Sequence, residues 1–239
     1  MTWEGLLHRV DSVPSTMDLV HQLAHGGAPS GTTVIAAEQT GGRGSRGHTW
    51  ASPRGGLWLS GLLRPAEFVV PEVLSVRAAL VTAAAIEQAV PGVRLRIKWP
   101  NDLLLGDRKV GGILCEARWQ SGALGWVCVG VGINVTNPMP AQLDGLAAAI
   151  GSQAPGVTVE RLVEPVARAI AGLNRCVGPL TAPELADLEQ RDALRRRRVA
   201  EPIPGTVESI RPDGALIIRS LDGTLMPIRS GPVRLADPG

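Results

Sequence analysis

A chain of 239 residues, 44% of them apolar, can fill one large core or a medium core with a small one beside it. With 24 basic against 22 acidic side chains the formal net charge is +2, which gives no reason to expect nucleic acid or a membrane surface as a partner. Cys115, Cys128 and Cys176 have neither metal nor CxxC spacing and read as reduced thiols of a cytoplasmic protein. The opening MTWEGLLHRVDS lacks a signal-peptide pattern, and no apolar run reaches the ~18 residues of a membrane span.

Residues 15–25, STMDLVHQLAH, predict a helix: Ser15 or Thr16 can cap it, Asp18 suits its first turn, and Gly26-Gly27 stop it. TTVIAAE (32–38) and GLWLSGLL (56–63) predict strands on either side of a glycine-rich segment. Residues 71–90 carry the longest helical pattern, opened by Pro71 and closed by Pro91-Gly92. RLRIKW (94–99) alternates basic and apolar residues and predicts a half-buried strand. A short apolar run follows Pro100-Asn101-Asp102, then a Gly106-Asp107 turn, a strand from Val110 to Trp119, a Ser121-Gly122 turn and a third strand, LGWVCVGVGINV. Tight turns between them imply an antiparallel meander. Residues 158–175 and 183–194 predict helices, the first interrupted by Pro165. After the basic run Arg195–Arg198, Asp213-Gly214 and Asp222-Gly223 punctuate short strands and predict hairpins. The whole therefore reads as an α+β domain, residues 1–194, followed by a small β-barrel, residues 195–239.

The segment GGRGSRG (41–47) holds four glycines and two arginines. Glycine loses more conformational entropy on ordering than any other residue, so packing does not explain the run. Gly42, Gly44 and Gly47 satisfy G-x-G-x-x-G, but Pro53, Gly55 and Gly56 break the helix that a dinucleotide site requires at the last glycine. A Walker A loop is excluded because no Gly-Lys-Ser/Thr is present. A solvated surface turn is one reading. The other is a loop closing on an anion, with Arg43 and Arg46 gaining their partners when a phosphate arrives. A second unusual stretch, KWPNDLLLGDRKVGGILCE (98–116), adds Lys98, Asn101, Asp102 and Lys109 around a hairpin, with Gly111-Gly112 permitting close backbone approach.

Together these stretches resemble the biotin protein ligases (biotin–acetyl-CoA-carboxylase ligases). The matching residues are Ser15-Thr16, Glu38-Gln39, Gly41 to Gly47, Trp50, Lys98 to Asp102, Lys109 with Gly111 to Leu114, Glu116, and Gly130 to Asn134. The resemblance runs from about residue 12 to the end, and the combination of GRG-x-xG, KWPND and K-x-GGIL is highly specific. It implies a mixed, largely antiparallel sheet with flanking helices, of the biotin/lipoate ligase and class II synthetase-like kind, followed by an SH3-like barrel. It also implies ATP-dependent transfer of biotin, through biotinyl-5′-AMP, to one lysine of a biotin carboxyl carrier protein or domain, with Mg2+ as cofactor.

By that resemblance, Lys109, Arg43 and Arg46 are the catalytic cations. Ser15, Thr16, Gln39, Gly42, Arg43, Lys109 and Gly112 hold biotin, and Arg43, Arg46, Trp50, Lys98, Asn101 and Asn134 hold ATP and the adenylate. Asp102 is the candidate metal neighbour. The chain departs from the pattern at Met17, where the family commonly has Asn, and at Ser45, where some members have Arg. His21 and His25, four apart, lack a third ligand and read as ordinary histidines. Three rival readings are a lipoate or octanoate ligase or transferase of the related fold, a biotin-sensing DNA-binding repressor, and an inactive biotin-binding or scaffold protein. The ligase pattern starting by residue 12 leaves no room for a preceding DNA-binding domain, and a homodimer remains open.

Overall fold

The computed structural model describes residues 6–65, 70–176 and 178–236. The extreme ends of the two expected domains lie outside them. The elements run β1 (Leu7–Val13), α1 (Thr16–His25), β2 (Thr33–Gln39), β3 (Leu57–Leu63), α2 (Pro71–Ala89), β4 (Leu95–Lys98), β5 (Asp102–Leu105), β6 (Arg108–Gln120), β7 (Ala123–Ile133), α3 (Glu160–Gly172) and α4 (Ala182–Arg191). The strands β8 (Arg198–Glu201), β9 (Gly205–Ile210), β10 (Leu216–Ser220), β11 (Leu225–Ile228) and β12 (Arg234–Leu235) complete the chain.

Among the described residues, seven strands form one sheet in the order β1-β2-β3-β7-β6-β5-β4. Only β1 and β2 pair in parallel, across the α1 crossover; all other neighbours are antiparallel, so the sheet is mixed and largely antiparallel. Sequence reasoning missed β1, because LHRVDSV has no continuous alternation and lies at the sheet edge, where six of its seven residues pair, and with β2 only. The predicted helix ending at 194 stops at Arg191, since Asp192 to Leu194 turn away and the Ala193 amide donates to the Ile97 carbonyl. Pro165 sits within α3 without ending it.

The strands bury different residues on their two faces. On β7, Val127, Val129, Val131 and Ile133 enter the large core beneath α2 and α3, while Trp126 and Cys128 meet α1 on the other face. On β3, Leu57, Leu59 and Leu63 join the large core and Leu62 joins the α1 side. This alternation is the period-two geometry of a strand covered on both faces.

The second sheet has the order β11-β10-β9-β8-β12, antiparallel throughout, so the last strand returns to the first as in an SH3-like barrel. Both Asp-Gly pairs form the expected turns, with Gly214 and Gly223 at positive φ (80° and 89°), where glycine carries no Cβ penalty. Val199, Val207, Leu216, Ile218 and Val233 continue the large core. Trp99, 2% exposed, donates its indole N–H to the Gly214 carbonyl at 2.9 Å and ties the KWPND hairpin to this sheet. Trp99→Phe leaves that buried carbonyl unpaired, and urea denaturation should show a loss of about 1–3 kcal/mol.

Candidate active site

The register of the large sheet assembles the site. Lys98 pairs with Asp102, Asp102 with Gly112, Gly112 with Gly132, and Gly132 with Trp58. Directly paired antiparallel residues share a face, so these five form a row across four ladders, charged at one end and bare in the middle. The next row on β3, β7 and β6 is Ser60, Gly130 and Leu114. Going along the α1 face of β7, side chains shrink from Trp126 and Cys128 to Gly130 and Gly132. That taper leaves a hollow in an otherwise covered sheet.

Lys109 reaches this hollow through an irregularity. The β5–β6 ladder shifts register between Leu103 and Leu104, so Gly111 pairs with Leu103 but Lys109 pairs with Leu104. Val110 is fully buried, and a side chain on Gly111 would strike Ile133 Cδ1 at 2.4 Å. Both residues therefore face the core, and Lys109 returns to the face of Gly112, the usual consequence of an extra residue in a ladder. Its backbone is pinned by the neighbouring 146–148 segment: the Lys109 amide donates to Leu146 O, and the Ala148 amide donates to Lys109 O. The ammonium lies 2.5 Å from Asp102 Oδ1 and 5.1 Å from the centre of the Trp50 ring. A Cβ on Gly112 would come within 3.8 Å of Lys109, Trp50 and Asp102 at once, so this glycine leaves open the space that the three surround.

Two cavities meet there. The inner one lies between α1 and the glycines of β6 and β7; the outer and larger one, open to solvent, lies beneath the 139–147 segment. Gly44, Ser45, Trp50, Asn101, Asp102 and Lys109 line both. The inner floor is a hydrogen-bonded chain. The Thr16 amide and hydroxyl both donate to Gln39 Oε1 (2.9 and 3.0 Å), so the Ser60 hydroxyl, 2.7 Å from Thr16 Oγ1, must donate to it. Gln39 Nε2 donates to Ser52 Oγ, which donates to the Trp50 carbonyl. Ser15, 2% exposed, lines the same cavity and sits at the helix N-cap position, yet its side chain makes no capping bond. The expected cap role is thus not used, and its hydroxyl remains available to a ligand. Met17 and Leu114, both on the α1 side of the sheet, supply an apolar wall.

The glycine segment folds back as a narrow loop: Arg43 bridges Thr49, the Trp50 amide donates to Gly42 O, and the Gly44 amide donates to His48 O. Gly42 has no room for a side chain, since a Cβ would lie 2.4 Å from the Trp50 carbonyl. Arg46 and Gly47 adopt positive φ at the loop tip (58° and 77°). The two arginines part company. Arg46 lines the outer cavity and has no ion pair among the described residues. Arg43 lines the inner one and is paired with Asp18 at 2.8 Å and Glu116 at 3.6 Å. Burial disfavours its charge, but the two carboxylates outweigh this and hold its pKa above the ordinary arginine value. The expectation that both arginines gain partners only from a phosphate therefore fails at Arg43.

Of the remaining expected residues, Lys98, Asn101 and Asn134 all line the outer cavity. Asn101 is held by Ile113, donating its side-chain amide to that carbonyl at 2.6 Å and accepting the Ile113 amide on its own carbonyl. Asn134, 7% exposed, accepts from the Asn137 side chain at 3.1 Å. Gly231, Pro232 and Val233 bring the second sheet into the same wall. Sequence reasoning missed Ser52, Ser60 and Asn137, because lone polar residues within apolar or loop stretches announce nothing until a partner is placed opposite.

Residues 9–134 match the Biotin/lipoate A/B protein ligase family, and the chain belongs to that family. It is 34% identical to the biotin–acetyl-CoA-carboxylase ligase of Paracoccus denitrificans over 206 residues, covering 80% of this chain and 85% of that one. It is 38% identical to the bifunctional ligase/repressor BirA of Bacillus subtilis over 156 residues, covering 63% of this chain and 47% of that one. The chain thus spans about half the length of the latter relative. Among solved structures, a mutant biotin protein ligase from Aquifex aeolicus in complex with biotin superposes with a TM-score of 0.80 at 25% identity, covering 96% of this chain and 97% of that one.

The close approach at Gly42 has a direct test. Gly42→Ala must displace the Trp50 carbonyl, whereas Gly44→Ala meets nothing nearer than 3.4 Å and has an ordinary φ of −105°. Hydrogen exchange of the Trp50 amide should accelerate strongly in the first variant and stay near wild type in the second.

Proposed function

We propose that this protein attaches biotin to a lysine of a biotin carboxyl carrier protein or domain, using ATP and passing through biotinyl-5′-AMP. The observation that carries this reading is the Lys109 ammonium at the junction of two cavities, one floored by short polar groups beside an apolar wall and one open and cationic. Biotin's neutral ureido ring and thioether suit the inner cavity, with Ser15, Thr16, Gln39 and the backbone at Gly42 and Gly112 around the ring. ATP suits the outer one, with Lys98, Arg46, Asn101, Asn134 and Trp50 along it. Trp50 lines both cavities, and its indole N–H, buried beside Gly132, has no partner among the described residues.

In this reaction the biotin carboxylate attacks the α-phosphorus, and pyrophosphate leaves. Two anions must approach, so a fixed cation between them stabilises the transition state more than the ground state. The position of Lys109 at the junction of the two cavities supports that role for it. The acceptor lysine then attacks the acyl carbonyl and AMP departs. Magnesium is proposed as cofactor. Among the described residues no cluster of three or more His, Cys, Asp or Glu could cage an ion. A lone carboxylate beside substrate phosphates nevertheless fits Mg2+, which usually keeps waters and takes one or two carboxylates. Asp102 would be that carboxylate, and the ion would neutralise phosphate charge.

The division at residues 194/195 is proposed as a domain boundary, supported by the second sheet beginning at Arg198. No helix among the described residues is long and apolar enough to cross a membrane. A cytoplasmic site of action is proposed from the free cysteines. The Ser15 hydroxyl, buried in the inner cavity without a capping bond, favours biotin over lipoate, whose dithiolane ring carries no comparable hydrogen-bonding group.

Incubation with biotin, Mg-ATP and a carrier domain should give pyrophosphate release and labelled carrier; equal turnover with lipoate would sink the biotin assignment. In single-turnover experiments Lys109→Ala should slow adenylate formation by about 100-fold or more while changing biotin affinity by less than about 10-fold. Adenylation at the wild-type rate would show that another cation does this work.

A further inference from the structure

Arg43 is the end of a connected chain of side chains that starts in the core. Trp126, 1% exposed on β7, donates its indole N–H to His21 Nδ1 at 2.9 Å. An imidazole accepting at Nδ1 carries its proton on Nε2. His21 Nε2, 2.9 Å from Glu116 Oε2, is therefore the donor to that carboxylate. Glu116 also receives Arg118 on Oε2 at 3.2 Å and faces Arg43 with Oε1 at 3.6 Å. The His21 hydrogen bond, opposed by burial and helped by Arg43 and Arg118, holds the Glu116 carboxyl below the usual range. Asp18, on the first turn of α1, completes the set around Arg43.

The chain thus runs from β7 through α1 and β6 to the glycine loop, and its last member lies on the wall of the inner cavity. Glu116 itself is not part of that wall. A guanidinium shared between two carboxylates has its charge compensated, which suits it poorly to meeting a phosphate; Arg46, with no ion pair among the described residues, is the loop cation left for that.

Resting on the ligase reading above, we infer that Glu116, oriented by His21, is a positioning residue that straps the 42–49 loop across the inner cavity through Arg43. The strap retains the activated acyl adenylate until the acceptor lysine arrives. It does not lower the barrier to forming it. Charge pairs act mainly on dissociation rate, and Arg43 is held by a hydrogen-bonded pair with Asp18 and a longer one with Glu116, so cutting the strap should show in release.

Glu116→Gln removes the charge with little change in shape. It should leave single-turnover adenylation within about 3-fold of wild type, while biotinyl-AMP release and labelling of a bystander protein rise by about 10-fold. Asp18→Asn, at a half-exposed position, should raise release in the same sense and serves if the first variant does not fold. Glu116→Asp should recover part of the retention. Hydrogen exchange of the Gly44 and Trp50 amides should accelerate in the Gln and Asn variants.

Slowed adenylation with unchanged release would place Arg43 in the chemistry and overturn the strap, as would unchanged release and unchanged exchange in both variants. A wild-type protein that forms no biotinyl-AMP would instead refute the ligase reading, and the exchange measurement would still decide the strap.

Discussion

The Lys109–Asp102 ion pair is the contact on which the rest of the site depends. At 37% and 26% side-chain exposure, such a pair adds little to stability. Its value is geometric. A flexible four-carbon stem has to be brought to one point and held there, and three separate features do so. The shifted ladder turns the stem to the right face, the 146–148 segment grips its backbone from both sides, and Asp102 with the Trp50 ring fixes the ammonium. Gly112 then keeps the adjoining volume empty.

The same strand that supports the core also makes the hollow. On one face of β7 branched side chains fill the space under α2 and α3. On the other, Gly130 and Gly132 remove the bulk that Trp126 and Cys128 supply one turn of the pleat earlier. A Cβ on Gly132 would lie 2.7 Å from Trp50 Nε1, and one on Gly130 2.8 Å from Met17 Sδ. These glycines serve neighbouring side chains as much as any ligand: they seat the tryptophan and the methionine that bound the cavity. Met17 belongs to the small α1 core, which makes this wall apolar where a relative with asparagine would present an amide.

Charge in the site is divided between compensated and available groups. Arg43 and Lys109 both contact carboxylates, and Arg46 contacts none among the described residues, although Arg43 and Arg46 sit three residues apart in one loop. The difference arises from what lies opposite. Arg43 faces α1 and β6, which carry Asp18 and Glu116, and Arg46 stands at a left-handed turn over the open cavity. On the proposed ligase reading, a loop whose anchored arginine is separate from its unpaired one can close independently of the reaction step.

The sequence by itself determined the element types, the antiparallel meander, the Asp-Gly hairpins of the second sheet and the two chemical stretches, because these are set by local periodicity and by the backbone freedom of particular glycines. Ser15, Thr16, Gln39, Trp50, Asn101, Asp102 and Lys109 were legible as one group and do gather around adjoining cavities. Three things were decided only by tertiary structure. One is the edge strand β1, whose pairing supplies what its pattern lacks. Another is the register shift that returns Lys109 to the face of Gly112. The last is the partnership of Arg43 with Asp18 and Glu116. Each depends on which residue of another element lies opposite, and spacing along the chain does not show that pairing.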